Sequence, residues 1–145
     1  EQALMAIREL GLPTQAVEQQ FRRMLFNIVA RNQDDHVKNI AFLMNPQGQW
    51  SLAPAFDVTY SYNPSGAWTA KHQMTLNGKV DDFTLDDFGA FAKLAKLKRG
   101  GGKEILAEVC EAVSHWQEFA KAAGVADAQR KQIGRAHRLK FVGGP

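Results

Sequence analysis

"ARNQDDHVKNIAFL", residues 30–43, sets Asp34, Asp35, His36, Lys38 and Asn39 within six positions and then turns at once into an apolar run. Such a crowd has two readings. Asn and Asp favour solvated turns because their side chains bond their own backbone. Carboxylate and amide oxygens also suit a hard divalent cation, and an ammonium or imidazole suits phosphate. What lies on either side decides what the crowd is built on.

Upstream, Val17, Phe21, Leu25, Ile28 and Val29 recur at helical spacing, with Met24 and Phe26 widening the stripe. This predicts a central helix capped by Thr14. A shorter helix over residues 2–10 precedes it, with Leu4, Ile7 and Leu10 on one side, and Gly11 and Pro13 stop it. Downstream, "NIAFLMN" and "QWSLAPAFD" read as two strands joined by Asn45-Pro46-Gln47-Gly48, a type I turn by residue preference. Phe42, Trp50 and Leu52 are expected to be core. The crowd enters this hairpin and Asp57 leaves it, so both ends come to one side.

Beyond the hairpin, residues 58–71 carry loop chemistry, with Tyr60, Tyr62 and a Trp68 expected to pack against the body. "HQMTLNG" reads as a further short strand. "TLDDFGAFAKLAKL" reads as a helix capped by Thr84, with Phe88, Phe91 and Leu94 inward. "KRGGGK" breaks the chain. A long helix over 103–123 is expected to bury Ile105, Val109, Val113, Trp116 and Ala120, with Gly124 ending it. A last helix, capped by Asp127, carries Ile133, Ala136 and Leu139. The fold class is therefore mainly α with a small β insertion, helices around a short hairpin, as a single domain over residues 1–145.

Composition narrows the function classes. Hydrophobic residues make up 45% and charged residues 23% of 145, enough for one real core. A net charge of +3 is too mild to argue for nucleic acid alone. The basic run Lys93, Lys96, Lys98, Arg99 and Lys103 complements a helix dipole. Cys110 is the single cysteine, which excludes an internal disulfide and fits a reducing, cytoplasmic setting. No apolar run approaches the ~18 residues of a membrane-spanning helix. His72, His115 and His137 are scattered, which disfavours zinc. Glu1 already stands in helical sequence, which suggests a piece of a longer protein.

Asp34 and Asn39 are five residues apart, and Asp57 lies eighteen beyond Asn39. Phosphoryl transfer from a nucleotide uses this inventory: one carboxylate for the attacking hydroxyl, an amide oxygen and a second carboxylate for Mg²⁺. The bare Asp–Asn spacing is weak, since ordinary residue frequencies give it by chance in about one such chain in three or four. A metal-dependent hydrolase using Asp34, Asp35 and His36 is a further reading, and it lacks a full ligand set.

The longer patterns are more specific. "RNQDDHVKNIAFL", "GQWSLAPAFDVTYS" and "HQMTLNGKVDDFTLDDF" closely resemble the C-terminal lobe of HipA-like kinases, the serine/threonine protein kinase toxins of bacterial type II toxin–antitoxin modules. The resemblance covers roughly residues 15–140, with its motifs in family order. It implies a kinase-like C-lobe. Asp34 matches the catalytic base, Asn39 and Asp57 the metal ligands, and His36 and Lys38 loop positions near the nucleotide phosphates. It implies ATP and Mg²⁺ as cofactors, a protein substrate in the translation machinery, an antitoxin protein as partner, and DNA only indirectly through that antitoxin. Asp57 is followed by Val58 and Thr59 rather than Phe-Gly, and Asn32-Gln33 stand before Asp34 in place of His-Arg. No Gly-rich phosphate loop precedes Asp34, and "RGGGK" at 99–103 follows it. The expectation is a kinase fragment inactive alone; the alternative is a non-catalytic binding module that docks an antitoxin.

Overall fold

The computed structural model describes residues 1–143. Two helices open it, α1 (Gln2–Glu9) and α2 (Thr14–Val29). Gly11, at φ 65°, ends α1: its N–H bonds the Arg8 carbonyl and that of Leu12 bonds the Ile7 carbonyl, as a left-handed helix stop requires. Pro13, not Thr14, occupies the cap of α2. Its carbonyl accepts the Ala16 N–H at 2.9 Å, and Thr14 is the first helical residue. The predicted stripe holds: Val17, Phe21, Leu25, Ile28 and Val29 are all buried.

The hairpin joins β1 (Phe42–Met44) to β2 (Trp50–Leu52), antiparallel, with Met44 opposite Trp50. Asn45 organises its turn: its Oδ1 accepts the N–H groups of Gln47 and Gln49, and its carbonyl accepts that of Gly48. The strands are shorter than the sequence suggests, and Trp50 is 42% exposed rather than core. A two-stranded sheet offers its outer side chains no second layer. Trp68 is likewise a surface residue, 76% exposed.

"HQMTLNG" does not form a strand. Leu76 and Lys79 exchange both backbone hydrogen bonds across Asn77 and Gly78, which both take positive φ. The segment closes on itself as a tight turn and buries Leu76. Three expectations then shift in the helical half. In α3 (Leu85–Leu94), Phe88 and Phe91 are buried, but Leu94 is exposed and Ala95 takes the inward place. The expected helix over 103–123 is two helices, α4 (Gly101–Ser114) and α5 (Trp116–Ala122), broken at His115. Packing overrides periodicity there: Trp116 Nε1 and Gln117 Nε2 both donate to the Arg130 carbonyl, which docks α5 on α6 (Asp127–Ala136). Asp127 is the first residue of α6 and bonds Arg130 and Lys131, while Leu139 lies beyond the helix and is exposed.

The core is one cluster in which α2 packs between α1 and α4 and reaches α3, with Phe21 stacked on Phe91 at 5.6 Å. The glycine run is part of this packing. Gly100, at φ 84°, caps α4, and a Cβ on Gly102 would lie 2.8 Å from Ala92 Cβ. The tail after α6 is strapped back over the core. Arg138 N–H donates to the Val29 carbonyl, its guanidinium pairs with Asp81, Phe141 packs edge-on against Phe88 at 4.9 Å, and Leu85 N–H bonds the Val142 carbonyl. No helix among the described residues is long and apolar enough to cross a membrane.

Candidate functional site

The loop that carries the crowd begins with a sharp turn. Arg31 takes φ 61°, and Asn32 N–H bonds back to the Asn27 carbonyl. A non-glycine residue there costs of order 1–3 kcal/mol. The Arg31 guanidinium offsets that by bonding the Ala136 carbonyl at 2.8 Å and Gln33 Oε1 at 3.0 Å, and it lies 4.2 Å over the Tyr62 ring. Burial, followed by the neighbouring Arg138 charge, lowers its pKa from the ordinary value.

Asn32 and Gln33, which stand where a solvated turn would be exposed, are buried. Asn32 Nδ2 donates to Asn27 Oδ1, and Asn32 Oδ1 accepts the Ser61 hydroxyl at 2.9 Å. Ser61 Oγ in turn accepts the Asp34 N–H at 3.1 Å. Asn39 Nδ2 donates to the Asp34 carbonyl at 3.0 Å, closing the loop over a 3₁₀ turn at Val37–Asn39. Asp34 is thus held by its backbone on both sides. Its carboxylate is half exposed, with His36 Nε2 3.8 Å away.

Asp35 has a different task from its neighbour. It is buried, and its two oxygens accept the Gln73 N–H at 2.8 Å and the His72 ring Nδ1 at 2.9 Å. A carboxylate only accepts, so His72 carries its proton on Nδ1. The His72 ring is itself buried, edge-on against Phe83 at 5.5 Å.

A cavity of about 320 Å³ opens beside the loop. Asp35, His36, Asn39 and Asp57 are among its polar linings, together with Arg22 and Arg23 of α2 and the Met74–Thr75 segment. Burial lowers the Arg23 pKa, and its guanidinium bonds the Ala53 carbonyl at 2.7 Å. Asn39 and Asp57 therefore share one cavity, although the hairpin separates them in sequence. Asp57 is exposed and sits at φ 51°, a conformation Asp tolerates better than most residues. His36 also lines the cavity, and its Nδ1 is buried with no partner among the described residues. Asp34 and Lys38 lie outside that lining, and Lys38 is exposed.

Among the described residues, no three His, Cys, Asp or Glu side chains gather as a metal cluster. An amide oxygen and one carboxylate are a different donor set. Asn39 donates through Nδ2 and keeps Oδ1 as an acceptor, and Asp57 brings a carboxylate, so both present the oxygen ligands that Mg²⁺ takes with its waters. Cys110 stands apart, half buried, and burial pushes its thiol pKa up, as an inert thiol requires.

Sequence reading did not find Asn32, Ser61 or His72 as supports of the loop. Their partners lie 27 to 37 residues away, so no local periodicity announces them. The one available signal was His72 opening the "HQMTLNG" motif.

A family model described as HipA-like C-terminal domain matches residues 1–133. No curated protein matches the chain.

Proposed function

The chain belongs to the HipA-like C-terminal domain family, and on that premise we propose that it is the catalytic-loop part of a serine/threonine protein kinase toxin. The complete protein transfers the γ-phosphate of ATP to a hydroxyl of a protein in translation, and an antitoxin restrains it. Transfer in this reading needs a second, nucleotide-anchoring lobe joined to this one, so these residues by themselves are expected to be inactive.

One observation carries the reading: Asn39 and Asp57 line the same cavity while Asn39 is tied to the Asp34 backbone. A cation held by Asn39 and Asp57 is then coupled through Asn39 to the position of Asp34. The Asp34 carboxylate, half exposed and bonded by no donor among the described residues, is available to take the proton of the incoming hydroxyl. His36, beside it, brings a ring nitrogen to the same place. Lys38 supplies positive charge from the exposed rim. When bound, Mg²⁺ neutralises charge on the transferring phosphate.

A second reading, a binding module that docks an antitoxin without catalysis, is favoured by the hairpin. Leu43, Met44 and Trp50 are all exposed there, and apolar surface of that kind suits a protein partner. Calorimetry separates the two. Mg–ATP is titrated into this chain and into a longer protein in which a nucleotide-anchoring lobe precedes it, and phosphotransfer is followed with Asp34→Ala and Asp57→Asn. The kinase reading expects binding by the longer protein, with phosphotransfer lost in both variants. Phosphotransfer that survives Asp34→Ala refutes it. Nucleotide binding by neither protein leaves the binding module.

A further inference from the structure

The Asp35 carboxylate stands between two segments that both line the cavity. Its own backbone leads from Asp34 to His36. Its oxygens hold His72 and Gln73, the two residues just before Met74 and Thr75. We propose that the Asp35–His72 couple is a positioning joint, which fixes Asp34 and His36 against the Met74–Thr75 wall, and that both residues serve the reaction without touching its reactants. The inference rests on the kinase reading above.

Three observations support a dedicated joint rather than incidental packing. Both residues are nearly excluded from solvent, at 8% and 4% exposure, and a buried carboxylate is tolerated only where donors satisfy it. Asp35 uses both oxygens, one on a ring and one on a backbone N–H, so it fixes the partner segment in orientation as well as distance. The His72 segment has little other regular structure to place it. Its backbone is tied by the His72 N–H to the Val80 carbonyl and by the small turn at Leu76–Lys79. On the other side, Ser61 and Asn39 hold the Asp34 backbone directly. A slack Asp35 therefore leaves Asp34 tied by its backbone while its loop loses its fixed place against the His72 segment. Displacement of about 1 Å in a reacting group can cost ~10²-fold in rate.

The test uses His72→Phe, which keeps the ring and removes the donor, and His72→Gln, which restores a donor. Amide hydrogen exchange is followed on this chain, and steady-state phosphotransfer on the longer protein. His72→Phe is expected to speed exchange ~10-fold or more at residues 34–39 and 73–76 while α4 amides keep their protection. It is expected to lower kcat roughly 10- to 100-fold with KM for Mg–ATP changed less than about threefold. His72→Gln is expected to recover much of both. Exchange that rises across the whole chain, or nowhere, overturns the joint. So does a KM increase with kcat unchanged, or a Gln variant as poor as Phe. Failure of the kinase reading shows separately, as wild-type protein without phosphotransfer sensitive to Asp34→Ala, and the exchange pattern then decides the joint by itself.

Discussion

Asp87 offers the sharpest test of how the second half of the chain is held to the first. Only 2% exposed, it accepts four hydrogen bonds: from Lys79 Nζ at 2.7 Å, Asn77 Nδ2 at 2.8 Å, the Thr84 N–H at 2.8 Å and the Thr84 hydroxyl at 2.9 Å. One carboxylate thus caps α3 and anchors the Asn77–Lys79 turn. Asp87→Ala removes all four acceptors. Lys79 and Asn77 reach solvent and rehydrate, so they recover part of the loss. The Thr84 N–H loses its cap, worth about 1 kcal/mol, and the charge-assisted bonds add to it, for a total of roughly 2–4 kcal/mol. At ~2–4 °C per kcal/mol for a chain near this size, the melting temperature should fall by roughly 4–16 °C. The pH dependence is a second, independent readout. Burial disfavours the Asp87 charge, but the bonds from Lys79, Asn77 and Thr84 outweigh it and hold the carboxyl well below the usual carboxylate range. A folded pKa below the unfolded one stabilises above the unfolded value, about 4, and that contribution fades as pH falls toward the folded pKa. The gap between wild type and Asp87→Ala should therefore be full at pH 6 and narrower at pH 2.5, by calorimetry or circular dichroism melts. A gap under ~2 °C at pH 6, or one that does not narrow in acid, refutes the reasoning.

Four further outcomes can be checked by denaturant or thermal unfolding. Gly102→Ala should destabilise by about 1–2 kcal/mol, because overpacking against Ala92 outweighs the helix-propensity gain. Gly134→Ala should destabilise by about 1 kcal/mol, because a Cβ there would meet Gln117 Nε2 at 2.7 Å and Trp116 Cδ1 at 3.3 Å, on the two side chains that hold the Arg130 carbonyl. Phe21→Ala, at the fully buried centre of the cluster, should cost ~3–5 kcal/mol, and a smaller loss means the cavity collapses. His137 has its pKa lowered by burial and then by Arg31, so its neutral form stabilises the fold above the ordinary imidazole value of about 6.5, and that contribution is lost as pH falls below it. His137→Phe should flatten the decline in urea midpoint between pH 7 and pH 5; an unchanged slope overturns this.

What could be read in advance was what is local. The α2 stripe repeats within one helix, and Thr84 with Asp87 sits three residues apart, so spacing alone exposes both. The crowd around Asp34 was visible as residue types, and the hairpin as a turn between two apolar runs. Exposure was not visible. Trp50 and Leu94 look inward by composition, and only the absence of a covering layer among the described residues turns them outward. The break at His115 was hidden for the opposite reason: Ile105 to Ala120 keeps helical period, while contacts from Trp116 and Gln117 to α6 redirect the chain. The supports of the candidate site were least legible. Ser61 and His72 act on Asp34 and Asp35 through pairings that no motif spacing encodes.

The strap after α6 bears on how such a domain should be cut for expression. The family match stops at residue 133, inside α6, yet the chain goes on stitching itself to distant parts for nine residues more. Arg138 covers the exit of α2, just before the turn at Arg31, and Phe141 with Val142 seals the entrance of α3. A clone trimmed to the matched segment would shear off that stitching and take away the partners of the Val29 carbonyl, the Asp81 carboxylate and the Phe88 ring. Its misbehaviour would then report the scissors rather than the sequence. Boundaries for a stable piece belong past Val142, which pairs with the start of α3, and none of the strap residues 138–142 lines the cavity that Asn39 and Asp57 share.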